Sequence, residues 1–144
     1  MTSTYTANKH LEKPARGDDP GTWDVPVNAD WDAIDQSFGG VTSLNATGVT
    51  AYTLLYTDYR SLTIKVTGAI SASVVYTIPS GVGGQWIIQN QTTDASGGPW
   101  TVTFASGGGG TSVTVDRNSN LVLCSDGTNI FLAGNVPPAN SVST

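Results

Sequence analysis

From about residue 49 onward, apolar side chains recur at every second position in short runs. That period of two constrains the fold more than any other feature of the chain. "RSLTIKVTG" sets Leu62, Ile64 and Val66 against Ser61, Thr63, Lys65 and Thr67. "PWTVTFASG" alternates Trp100, Val102 and Phe104, and "TSVTVD" alternates Val113 and Val115. Successive side chains of a strand point to opposite faces, so each run buries one face and wets the other. Together with "VTAYTLLY", "ISASVVYTI", "GQWIIQNQ", "NLVLCSDG" and "TNIFLAG", these runs make about eight strands at regular spacing. Gly-, Asp-, Asn- and Ser-rich turn sequences separate them, among them "PSGVGG", "TTDASGGP", "SGGGG" and "DRNSN". The pattern predicts a mainly β protein whose module, residues 46–135, is an antiparallel β-sandwich or barrel. The sharpest hairpin signal is "SDGTN", where Asp126-Gly127 suits a two-residue primed turn. No internal sequence repeat is visible.

Composition narrows the function classes. Charged residues make up 12% of the 144, about half the usual globular share of roughly 25%. The net charge is −5 with six Lys and Arg, which does not make the basic patch of a nucleic-acid binder. No apolar run is long enough to span a membrane, and the N-terminus lacks the apolar core of a secretory signal. No partner is therefore expected among nucleic acids or membranes. The single cysteine, Cys124, rules out an internal disulfide, and its strand context predicts a buried thiol.

Residues 1–45 follow a different rule. The first twenty are polar, with Pro14, Gly17 and Pro20, and predict an extended arm with no core of its own. A short helix is predicted over about 28–38, with Asn28 as N-cap, Asp30 and Asp32 in its first turn, and Gly39-Gly40 as the stop. Trp31, Ile34 and Phe38 fall on one face of it. Ahead of it, Trp23 and the "VPV" of Val25, Pro26 and Val27 predict an extended docking strip. Each ordered backbone residue costs about 1–2 kcal/mol, and the burial of two tryptophans falls short of that cost over the whole arm. The arm is expected to order only against a large surface, either a sister chain or another protein. The last residues, 136–144 with Pro137 and Pro138, form a tail.

Sites for chemistry are scarce. His10 is the only histidine, so a His-based metal site or a Ser-His-Asp triad lacks its parts. "SGGGGTS" lacks the lysine of a phosphate-binding loop. "DRNSNL" resembles the start of a calcium loop but lacks the sixth-position glycine and the closing glutamate. The aspartates lie in the arm, the helix or turns, where capping accounts for them. No enzyme activity and no cofactor are expected. The aromatics leave two readings open: Trp86, Trp100 and Tyr59, with Tyr52, Tyr56 and Tyr76, form either a sugar-stacking platform or a core and subunit contact.

The segment "NKHLEKPARGDDPGTWDVPVNADWDAIDQSFGG" resembles the N-terminal part of many tailed-phage fibre and appendage proteins. Leu11, Pro14, Gly21, Trp23, Val25, Pro26, Asn28, Trp31, Ile34 and Asp35 carry the likeness. The β-module, with its "YTIPSGVGGQWIIQNQTT" run and terminal "SDGTN", is more loosely similar to the small modules of such proteins. The resemblance implies a virion structural protein made in the host cytoplasm. It implies a homotrimer whose N-terminal part, residues 1–40, meets another virion protein in the capsid or tail. Leu11, Pro14, Trp23, Val25, Pro26, Val27, Trp31, Ile34 and Phe38 are then the anchoring residues. The rival expectation is a carbohydrate-binding receptor module at a fibre tip.

Overall fold

The computed structural model describes residues 2–134; the tail expected at 136–144 lies outside the described residues. Among the described residues the protein is mainly β, with two helices and three sheets. A two-residue hairpin pairs β1 (Thr4–Tyr5) with β2 (Glu12–Lys13), and helix α1 (Asp24–Gly39) follows. The chain then alternates between two sheets. β3 (Val41–Asn45), β5 (Thr63–Ile70) and β7 (Gly83–Asp94) lie in one, and β4 (Ala51–Thr53), β6 (Val74–Ile78) and β8 (Val102–Ser106) in the other. A four-residue helix, α2 (Tyr56–Tyr59), links β4 to β5.

These strands form three successive coils. Val41 pairs with Thr63 and Thr63 with Ile87 in one sheet; Ala51 pairs with Val75 and Val75 with Thr103 in the other, every pairing parallel. Three return strands close the far end antiparallel. β9 (Ser112–Val115) pairs with β8, β10 (Asn120–Asp126) with β7, and β11 (Ile130–Leu132) with β10. The antiparallel expectation therefore holds only for this closing part. The reason is physical. Alternation reports which face of a strand is buried and is blind to the direction of its neighbour. Parallel strands need a crossover of a dozen residues or more, and here each crossover is itself a strand in the opposite sheet. The sequence shows no repeat because the coils share backbone register and little side-chain identity.

One hydrophobic core lies between the sheets. Ile64, Val66, Trp86, Ile88, Leu123 and Ile130 enter it from the five-stranded sheet, and Val74, Tyr76, Ile78, Val102, Phe104 and Val115 from the four-stranded sheet. Trp86 is fully buried, and its indole N–H donates to the Tyr59 carbonyl at 2.6 Å. Tyr76 stacks on Phe104 at 5.5 Å, and burial pushes its phenol up to about 12. Polar groups also enter. Asn90 donates its side-chain amide to the Val115 carbonyl at 2.8 Å and accepts from the Thr92 hydroxyl at 2.8 Å. Cys124 is half-buried, not buried, because the neighbouring Leu123 takes the inward position on β10.

The "SDGTN" hairpin forms one residue later than expected. The Asp126 amide reaches the Asn129 carbonyl at 3.4 Å, so Gly127 and Thr128 are the central residues and only Gly127 has positive φ. The Asp126 carboxylate accepts from the amides of Thr128 and Asn129 at 2.9 and 2.7 Å. "DRNSNL" is a turn between β9 and β10: Asn118 donates to the Asn90 carbonyl at 2.7 Å, and Asn90 donates to that of Ser119 at 3.1 Å.

Gly68 sits at φ +104, and a Cβ there would run into Asn45 Oδ1 and Thr47 Oγ1 of the preceding coil. Gly68→Ala is expected to unfold at clearly lower urea than the native chain. Trp86→Ala should cost about 3–5 kcal/mol through its cavity, with an orphaned Tyr59 carbonyl in addition. Equilibrium urea unfolding followed by far-UV circular dichroism checks both.

Candidate functional site

Residues 2–40 fold back on the coils, contrary to the extended arm expected. Three contacts hold the hairpin. Asn8 Oδ1 accepts the Gly83 amide at 2.8 Å. The Lys9 ammonium donates to the Arg60 carbonyl at 3.2 Å and lies 6.0 Å from the centre of the Trp86 ring, with burial pushing its pKa down. His10 is stacked between Tyr5 and Tyr56, at 4.3 and 4.2 Å, and the Arg60 guanidinium covers Tyr56 at 4.7 Å. Aromatic pairs of this kind contribute about 0.5–1.5 kcal/mol each. These contacts leave no mark in the sequence, because spacing does not show that residues 8–10 meet residues 56–60 and 83–86.

Helix α1 begins four residues earlier than expected, and Asn28 is not its cap. Trp23 is the N-cap, without a side-chain cap bond, and the Val25 amide donates to the Thr22 carbonyl at 3.0 Å. Pro26 therefore lies in the first turn, where a missing N–H costs nothing. "VPV" is helical rather than an extended strip. At the other end the Gln36 carbonyl accepts from Gly40 at 2.9 Å and from Leu62 at 3.0 Å, which fixes α1 to the start of β5. Gly40 has φ −69, so space decides the residue: a Cβ would lie 2.7 Å from the Gln36 carbonyl oxygen.

The helix turns its less apolar side to its own chain. Pro26 and Ala33 are buried, and Asp30 Oδ1 accepts the Glu12 amide of the hairpin at 2.7 Å. Trp23, Val27, Trp31, Ile34 and Phe38 lie within about 80° of arc on the adjoining side. Trp23 is 67% exposed, Trp31 64% and Phe38 80%, while Val27 and Ile34 are half-buried. Asp24 and Asp35 border this stripe, and α1 contains no Lys or Arg. Three aromatics of roughly 150–250 Å² each, exposed to this degree, present about 400 Å². That equals the largest patch typical of a soluble monomer.

The expected anchoring residues thus separate. Trp23, Val27, Trp31, Ile34 and Phe38 come together. Val25, 63% exposed, faces the opposite way, Pro26 packs inward, Leu11 is half-buried in the hairpin and Pro14 is exposed. The aromatic platform does not exist as a surface. Trp86 and Tyr59 are core residues, and Trp100 is half-buried, packed against the core with its indole N–H donating to the Ser96 carbonyl at 3.0 Å. Strand alternation, which sets Trp100 on the Val102 and Phe104 face, favours core or interface for Trp100. Near Trp100, Arg117 holds the Asp94 carboxylate in a two-pronged ion pair at 2.7 and 2.6 Å, which keeps Asp94 below the usual carboxylate range.

Between hairpin, α1 and α2 lies a cleft of about 320 Å³ lined by Tyr5, His10, Glu12, Asp30, Tyr56 and Arg60. Among the described residues no cluster of three or more His, Cys, Asp or Glu is placed to hold a metal, and no helix is long and apolar enough to cross a membrane. Comparison with family models, with curated proteins and with solved structures found no match.

His10→Ala is expected to free the hairpin while leaving the coils folded. Hydrogen exchange should speed up at least tenfold across residues 4–13, with an unchanged urea midpoint for β5 to β10. Asp94 and Asp126 both have carboxyls held below the ordinary value. The stability they contribute is complete above the ordinary carboxylate range and is lost as pH falls through the depressed values. The double variant Asp94→Asn, Asp126→Asn should show a shallower loss of stability on acidification, read by urea unfolding across that range.

Proposed function

We propose that this chain is a structural protein of a tailed-phage virion, a short trimeric fibre, spike or capsid decoration protein that docks to the particle through residues 1–40. The carrying observation is the aromatic stripe of α1. A helix that exposes Trp23, Trp31 and Phe38 side by side presents an apolar patch of the size that is often functional on a monomer, and this supports the docking reading. The coiled β-module, which we read as sandwich-like, supplies a rigid base. It holds the hairpin through Asn8, Lys9 and His10 and so fixes the direction in which α1 points. The resemblance of residues 8–40 to phage appendage segments supports the same reading. The carbohydrate-tip alternative loses its support, because Trp86 and Tyr59 are buried.

In this reading the protein has no catalytic residue, and its partners are further copies of itself and another virion protein. Particles assembled with the Trp31→Ala, Phe38→Ala chain should carry less than about a tenth of the native amount, read by mass spectrometry of purified virions. Two aromatics that docking would bury, at roughly 1.4 kcal/mol per factor of ten, support a deficit at least that large. Normal incorporation of this variant would contradict the docking role.

A further inference from the structure

We infer that the aromatic side of α1 is received by an apolar groove, rimmed with Lys or Arg, on a protein other than this chain. The inference rests on the docking reading above and names the chemistry of the partner. Acid lines both edges of the stripe. Going round the helix at about 100° per residue, Asp24 and Asp35 come directly after Trp31 on one edge, and Asp30 directly before Trp23 on the other. Asp24 and Asp35 are exposed, and α1 contains no Lys or Arg. Residues 1–40 hold seven carboxylates against three Lys and Arg, which is four of the chain's five net negative charges.

The edge at Asp30 continues into the hairpin. The Asp30 carboxylate accepts the Glu12 amide at 2.7 Å. Glu12 is paired across the hairpin with the exposed Tyr5, so a second carboxylate and a ring stand side by side there. All three line the cleft of about 320 Å³. Among the described residues Arg117–Asp94 is the one ion pair, so the chain itself neutralises neither Glu12 nor Asp30. Arg60, on the α2 wall of the cleft, is held over the Tyr56 ring, and its Nε–H donates to the Tyr56 carbonyl at 3.3 Å. A guanidinium entering from outside meets two carboxylates and the Tyr5 ring, a combination that suits Arg.

Area points the same way. The stripe presents about 400 Å², half of the roughly 800 Å² that each partner brings to a specific interface. A groove whose walls rise past the stripe also covers Asp24 and Asp35 on one edge and the Glu12–Asp30 edge on the other, which adds to that area. Val27, Trp31, Ile34 and Phe38 follow one another at intervals of four, three and four residues, the spacing of anchors on a helix laid in a groove. A second copy of this chain would set acid against acid along both edges. Basic walls make the same edges attractive, and such complementarity selects the partner and fixes its register.

Loading of variant chains into particles tests this, read by mass spectrometry of purified virions. The rim variant Asp24→Lys, Asp35→Lys should be carried at less than about a tenth of the native amount. The control Asp32→Lys, Asp116→Lys changes the net charge equally, away from both edges, and should load normally. Far-UV circular dichroism and an unaltered urea midpoint confirm that both remain folded. As an independent readout, native particles moved from about 0.1 M to about 1 M salt should release the chain at least about tenfold faster, because the screening length falls from about 10 to 3 Å. Normal or heavier loading of the rim variant overturns the inference, as does release that does not quicken with salt. An equal loss in the control assigns the effect to net charge and overturns it too. A rim variant that loads normally while Trp31→Ala, Phe38→Ala does not sinks the basic rim and leaves the docking reading standing. Normal loading of both removes the docking reading as well.

Discussion

The indole N–H of Trp86 donates to the Tyr59 carbonyl inside the core, and most of the molecule's organisation passes through that ring. Trp86 sits on β7, the middle strand of the five-stranded sheet, opposite Leu123 of the return strand β10. Its hydrogen bond fixes α2, the link between the first and second coils. Its ring lies under the Lys9 ammonium, which in turn donates to the carbonyl of Arg60, next to Tyr59. Coil stacking, the α2 corner and the N-terminal hairpin thus share one buried side chain. An unpaired Tyr59 carbonyl would be a buried acceptor without a donor, at a cost of about 1–3 kcal/mol.

From that ring outward the logic is one of aim. The hairpin is pinned at Asn8, Lys9 and His10, α1 is tied to it through Asp30 and to β5 through Gln36, and the helix is left with its apolar side outward. A helix docked for its own stability would turn Trp31 and Phe38 inward and leave Ala33 outside. This one does the reverse. The geometry sacrifices local stability for a presented surface, which is the basis of the proposed role as an assembling virion component. The two open edges at the first coil, β3 and β4, are each paired on one side only. They carry no charged residue, so their shortness, three residues in β4 and five in β3, is what limits added strands at the first-coil end.

Much of this was legible in the sequence. Each of the eight alternating runs contains a strand, from "VTAYTLLY" to "TNIFLAG", because burial of one face leaves a period of two. β3, "VTSLN", escaped notice because its edge position buries little and its apolar residues are only Val41 and Leu44. Strand direction was invisible, since parallel and antiparallel neighbours ask the same alternation of a half-buried strand. The stripe of Trp31, Ile34 and Phe38 was visible from spacing, and Trp23 and Val27 join it only because the helix starts at Asp24. The stack of Tyr5, His10, Tyr56 and Arg60 left no local trace, because its members are brought together by the path of the coils rather than by neighbouring positions.

The central claim is that the aromatic side of α1 is presented for a partner to cover, as proposed above. Hydrogen exchange of residues 24–39 in the free chain and in the assembled particle tests it most directly. The account predicts rapid exchange across α1 in the free chain and slow exchange in the particle, while β5 and β7 remain protected in both. Exchange in α1 that is the same free and assembled would contradict it.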